Sequence, residues 1–135
     1  MAANFTSISN SLKNSTGSNI DRNQAVMLFI ADPFFDMQGQ SARVEFEITL
    51  LSHLQNYEFT EFSFAIIESK TIEPDVIDAD TLLEVRIQNL TLDKTSVIDG
   101  HTYRSRSVIR WKLIDGSWKI YSGLPFRSSE LFLKE

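Results

Sequence analysis

Apolar residues recur along this chain with two different periods, and the change from one to the other falls near its middle. In the first half the spacing is helical. Phe5, Ile8 and Leu12 stand at i, i+3 and i+7, which predicts a short amphipathic helix that ends in "NSTGSN". A second helix is expected to start at Asp21, whose carboxylate can cap the first turn with Gln24 as the reciprocal partner, and to stop at Asp32-Pro33. Between these lies "AVMLFIA", apolar all round, so this helix is expected to be buried. After the aromatic connector "DPFFDMQGQ", Gly39 opens a third helix over roughly Ser41 to Tyr57. At about 100° per residue, Phe46, Tyr57, Leu50, Leu54, Leu51, Val44 and Ile48 sweep an arc of roughly 200°, which predicts that most of its circumference is covered.

From Glu61 onward the period is two. Phe62, Phe64 and Ile66 alternate with Ser63, Ala65 and Ile67, and Leu83, Val85 and Ile87 alternate with Glu84, Arg86 and Gln88, so the second half reads as a sheet. "SKTIEPDVIDAD" reads as the separator of these strands, and its Pro74 argues against a central strand position. Asp115-Gly116 is a type I′ turn signal. The hairpin it closes sets Leu113 opposite Trp118 and Trp111 opposite Ile120 on an apolar face. On the other face it sets Lys112 opposite Lys119 and Arg110 opposite Tyr121, where the guanidinium can stack on the ring. Asp99-Gly100 gives the same signal, but its simple register mixes the two faces. A slip of one residue repairs it, so a bulge or a longer loop is expected there.

Composition narrows the classes. The chain has 135 residues, 42% hydrophobic and 23% charged, which fits one globular domain spanning 1–135. A formal net charge of −5 disfavours nucleic acid as a partner, and the absence of cysteine excludes disulfides, thiol nucleophiles and cysteine zinc sites. No long apolar run suggests a signal peptide or a membrane span, so the expectation is a soluble, cytoplasmic protein. Arg104, Arg106, Arg110 and Lys112 alternate along one strand. They read as the solvated or partner-facing side of a half-buried sheet, balanced by Glu84, Glu61 and Asp93, and no phosphate loop or aromatic platform supports anion capture.

The order of short helix, buried helix, aromatic connector, long helix and antiparallel strands resembles the nuclear-transport-factor-2-like superfamily, SnoaL-like proteins included. "VIRWKLIDGSWKIYSG" looks like the terminal hairpin of many small members, and "FFDMQGQSARVEFEITL" like their connector and third helix. The resemblance implies an α+β, cystatin-like cone: a strongly bent antiparallel sheet wrapped around about three N-terminal helices, with a cavity between the layers and frequently a homodimer through the sheet. The superfamily holds isomerases, dehydratases, hydrolases, cyclases and non-catalytic assembly domains, so the fold does not choose the function. Many members carry a histidine shortly after the tryptophan of the last strand. This chain has Ser122 there, which removes that acid/base role.

Candidate chemistry is sparse. Glu47 projects inside the apolar arc of the third helix, where a carboxylate either pairs, with Arg43 four residues earlier, or serves as a cavity base. Asp36 in the connector is the other candidate base. His53, at the edge of the arc, is a candidate proton shuttle or a hydrogen-bonded boundary residue, and Tyr57 and Tyr103 are candidate donors. His101 reads as a solvated turn residue, and two histidines without a carboxylate cluster point to no metal and no cofactor. Phe34, Phe35, Leu50, Trp111 and Trp118, with Ser105 and Ser107 at the polar end, either line the cavity or form core. The leading expectation is a domain that binds a hydrophobic small molecule in its cavity, as a homodimer. One alternative is a cofactor-independent isomerase, dehydratase or hydrolase. The other is an assembly domain working through the arginine-bearing sheet face.

Overall fold

The computed structural model describes residues 2–13, 17–89, 102–127 and 130–131. The elements follow the chain as α1 (Ala2–Lys13), α2 (Asn19–Met27), α3 (Arg43–Asn56), β1 (Tyr57–Glu73), β2 (Val76–Asn89), β3 (Thr102–Ile114), β4 (Ser117–Ser122), β5 (Phe126–Arg127) and β6 (Glu130–Leu131). The first four strands form one antiparallel sheet in the order β1-β2-β3-β4, and β5 and β6 pair separately. Three register shifts in the 17-residue β1 and one between β3 and β4 bend the sheet around the helices.

The helices follow their apolar spacing with local corrections. Phe5, Ile8 and Leu12 of α1 are all buried, as the spacing predicts. The cap of α2 is Ser18 rather than Asp21. Its hydroxyl accepts from the Asp21 amide at 3.1 Å, and Asp21 moves into the first turn, where a carboxylate suits the helix dipole. The run "AVMLFIA" is not a continuous buried helix. Helix ends at Met27, Leu28 is exposed and turns with Phe29, and Ile30 then bridges Ile120 at the edge of β4; the Ile120 amide donates to the Phe29 carbonyl at 2.7 Å and its carbonyl accepts from the Ala31 amide at 2.8 Å. That contact covers a sheet edge, which explains the apolar run without a longer helix. Between α1 and α2 lies the buried Arg22, whose guanidinium donates to the Ser11 and Leu12 carbonyls and to Asn19, so the end of α1 is capped from the next helix. Burial lowers its pKa, opposed by the charge of Glu58.

α3 starts at Arg43 because Ser41 and Ala42 close the connector onto Phe35 and Phe34. Its buried face is narrower than the projected arc: Phe46, Leu50 and Leu54 are buried, but Val44 and Ile48 are 67% and 64% exposed. In the sheet, "SKTIEPDVIDAD" is not a separator. It is the end of β1, a turn at Pro74-Asp75 and the start of β2, with Lys70 opposite Asp78. Pro74 sits in the turn, where a missing N–H costs the ladder nothing. β2 and β3 pair with Val76 opposite Lys112 and Arg86 opposite Thr102, eleven positions from the simple Asp99-Gly100 register, so a slip of one residue does not describe them. The Asp99-Gly100 turn signal, Asp93 and His101 lie outside the described residues. The β3–β4 hairpin matches its sequence: Asp115 and Gly116 have φ of 51° and 80°, Trp111 faces Ile120, and Leu113 faces Trp118. A bulge after Arg110 makes the one difference, pairing it with Ser122 and displacing Tyr121.

Candidate functional site

Period-two alternation sorts β2 and β3 into an inner and an outer face. On the inner side Ala79, Leu83, Val85, Ile87, Ile109 and Trp111 pack on the helices. Trp111 meets Phe5 edge-on, ring centroids 4.9 Å apart, and Phe34 meets Phe46 at 5.1 Å. Phe34, Leu50 and Trp111, expected to line a cavity, have no exposed surface at all and are packed core. Trp118, Ser105 and Ser107 are half-buried, Ser105 lying opposite Leu83 and Ser107 opposite Thr81 in β2. Phe35 is half-buried against Tyr121, centroids 5.0 Å apart.

The outer side carries the stripe of cations, and each arginine meets an acid on the neighbouring strand. Arg104 bonds Glu84 at 3.2 Å, Arg106 grips Asp80 through two nitrogens at 3.0 and 2.7 Å, and Arg110 grips Asp78 at 2.7 and 3.0 Å. On the next strand pair, Arg86 lies 3.8 Å from Glu61. These forks lower the pKa of Asp78 and Asp80, chiefly through the hydrogen bonds from Arg110 and Arg106, and raise those of both arginines. Arg110 is thereby committed to Asp78, and the cation over the Tyr121 ring is Lys112, with Nζ 3.7 Å from the centroid. Beside these pairs stand Ile67, at a register shift of β1, and Val108, opposite Asp80, 52% and 54% exposed, while Ala65 pairs with Leu82. A hollow of about 250 Å³ opens there, bounded by Glu68, Lys70, Asp78, Asp80 and Val108.

The five candidate catalytic groups are distributed over the molecule. His53 and Tyr57 come together at the end of α3, ring centroids 5.4 Å apart. His53 Nδ1 lies 2.8 Å from the Thr49 carbonyl, and burial pushes the imidazole below its ordinary pKa. Tyr103 is on β3 opposite Val85. Glu47 is half-buried on the α2 side of α3, where its backbone carbonyl accepts from Asn23 at 3.2 Å. Arg43 reaches the Met27 carbonyl at 3.4 Å, and no ion pair joins it to Glu47 among the described residues. Asp36 is buried in the connector, and its Oδ1 accepts from the Gln38 and Gln40 amides, both at 2.9 Å. Asp78 and Asp80 escaped the sequence reading. The signal for them is the D-x-D spacing, which matches the alternate arginines of β3 once "DVIDADTL" is read as strand.

Neither a family model nor a curated protein matches the sequence. Solved structures do match its fold. A nuclear-transport-factor-2-like protein from Cytophaga hutchinsonii superposes with a TM-score of 0.57 at 16% identity, covering 84% of each chain. A ketosteroid isomerase-like protein from Erwinia carotovora atroseptica gives 0.56 at 16%, covering 90% of this chain and 92% of that one. The chain has the nuclear-transport-factor-2-like fold. A candidate calcium/calmodulin-dependent protein kinase II association domain from Xanthomonas campestris shares the fold too, with a TM-score of 0.61 at 14% identity over 90% of this chain and 81% of its own. At such identities the likeness carries the α+β architecture of three helices on a curved antiparallel sheet and leaves the chemistry to this chain's own residues. Among the described residues no helix is long and apolar enough to cross a membrane, and no cluster of His, Asp and Glu is placed to hold a metal ion.

Proposed function

We propose that this nuclear-transport-factor-2-like domain is an association module whose outer sheet face, centred on Ile67 and Val108, docks a second copy of itself. The observation that carries this reading is the pairing of charges around an exposed apolar centre. Arg104, Arg106 and Arg110 each hold a counter-ion on their own sheet, so covering the face removes Ile67 and Val108 from water without isolating a charge. Acid and base also alternate across the face, so a two-fold axis can bring it against itself without opposing like charges over a broad area. A candidate association domain from Xanthomonas campestris and a ketosteroid isomerase-like protein from Erwinia carotovora atroseptica share this fold, which is compatible with either reading. Proton-transfer chemistry has weaker support in this chain, since of the two candidate bases Asp36 is engaged by the connector's own amides and Glu47 is a half-buried residue of α3.

Sedimentation velocity over a concentration series tests the proposal. The wild type should associate at micromolar concentration, and Ile67→Glu with Val108→Glu should remain monomeric with an unchanged unfolding midpoint. Val44→Glu, on the exposed side of α3, should associate like the wild type. A wild type that stays monomeric, or loss of association in Val44→Glu alone, would overturn the assignment.

A further inference from the structure

The connector builds a second hollow on the opposite side of the β3–β4 hairpin's bulge, and its wall holds an unfinished hydrogen-bonding site. Gly39, at φ 76°, turns the chain back so that Phe35 bridges Ser41 and the Asp36 amide donates to the Gln40 carbonyl at 3.0 Å. The loop uses one oxygen of Asp36, which takes the Gln38 and Gln40 amides. The other oxygen, Oδ2, is buried and has no hydrogen-bond partner, in a residue only 4% exposed. An asparagine could hold the same two amides through its single oxygen, so the loop does not account for the second carboxylate oxygen. Nor does an ion pair: Asp36 has none among the described residues. A buried acceptor without a donor is costly, and a ligand that supplies the donor relieves that cost.

The surroundings specify that ligand. Asp36 forms part of the wall of a shallow, open hollow of about 400 Å³. Phe35 and Tyr121, packed at 5.0 Å, give it aromatic sides, and Met37, half-exposed, a flexible apolar rim. The Tyr121 ring already accepts one cation, Lys112 Nζ, which shows its face to be an electrostatic partner for ammonium groups. An open carboxyl oxygen is an acceptor, so a ligand that completes Oδ2 brings the donor. We infer that the hollow lined by Phe35, Asp36 and Tyr121 binds a small organic amine, its ammonium donating to Asp36 Oδ2 and its hydrocarbon body lying against the two rings. The site adjoins the Lys112 end of the outer sheet face through Tyr121, but it is built on Asp36 and does not rest on self-association.

Benzylamine is the probe, with benzyl alcohol and benzoate as matched neutral and anionic shapes, followed by amide chemical shifts on the full chain. Benzylamine should produce saturable shifts at Gln38, Gly39, Gln40 and Ser122, benzyl alcohol weaker ones, and benzoate none. Asp36→Asn keeps both loop amide bonds and should lower affinity about ten- to a hundredfold, the range for a hydrogen bond to a charged group. Should Asp36→Asn fail to fold, Tyr121→Leu should lower benzylamine affinity by removing the ring. Equal binding of benzoate, shifts spread away from the connector, no saturable binding of benzylamine, or affinity unchanged in the variant tested would each overturn the inference.

Discussion

The two faces of β3 solve the problem of polarity in opposite ways. Inward, Ile109 and Trp111 have almost no exposed surface, and even the Trp111 indole N–H is buried without a hydrogen-bond partner. Outward, Arg106 and Arg110 neutralise acids on β2 while Val108 between them stays half in water. The inner face is closed by shape and the outer one by charge. The difference teaches where function can sit. At Phe34, Leu50 and Trp111 the inner face is packed core, whereas a neutralised face with an exposed apolar centre is ready to be covered.

Substitutions can break this contrast from either side. The largest effect is expected inside: Trp111→Ala should cost about 3–5 kcal/mol of stability in denaturant unfolding, because a close-packed core cannot refill so large a gap. Trp111→Phe should cost much less, since it also removes the unmet N–H. Next comes Gly123, at φ 93° just beyond β4, where an added Cβ would stand 1.9 Å from the Val108 carbonyl oxygen. Gly123→Ala should lose roughly 3 kcal/mol through backbone strain and displacement of β3, measured by the same unfolding curve.

Acid titration sharpens the inner boundary. The folded-state pKa of His53 is lowered by burial, so between its ordinary value and the lowered one the unfolded chain binds more protons. Stability should therefore fall as pH drops below the usual imidazole range, and His53→Gln should flatten that part of the profile. The smallest effect belongs to the outer face. A double-mutant cycle on Arg110 and Asp78 should give a coupling of only about 0.2–1 kcal/mol, because both side chains keep contact with water that screens the pair. With the Asp78 pKa lowered by Arg110, that contribution is present above the usual carboxylate range and is lost as pH falls through the lowered value.

How far each feature was legible follows from how local its cause is. The Asp115-Gly116 turn and the opposed orientations of Trp111 and Arg110 depend on neighbours in sequence, and they read directly. The start of β2 did not. Its inward residues Ala79 and Thr81 are small or polar, so "DVIDADTL" lacks the large apolar beat that marks a strand, and the partners of Asp78 and Asp80 lie far along the chain. A helical projection placed Val44 and Ile48 in the apolar arc of α3 but says nothing about which part of the arc a neighbour covers. Asp36 stood out as a connector carboxylate, yet its hollow exists only because Tyr121 and Gly123 come up against the connector in space.

The central claim is that the outer sheet face, and not the exposed side of α3, meets a second copy of the chain. A dilution series of amide chemical shifts separates the two surfaces in one experiment. Concentration-dependent shifts at Ile67, Leu82, Val108 and their strand neighbours, with Val44 and Ile48 unmoved, are the predicted result. Shifts that move on α3 instead, or a spectrum that does not change with concentration, would contradict it.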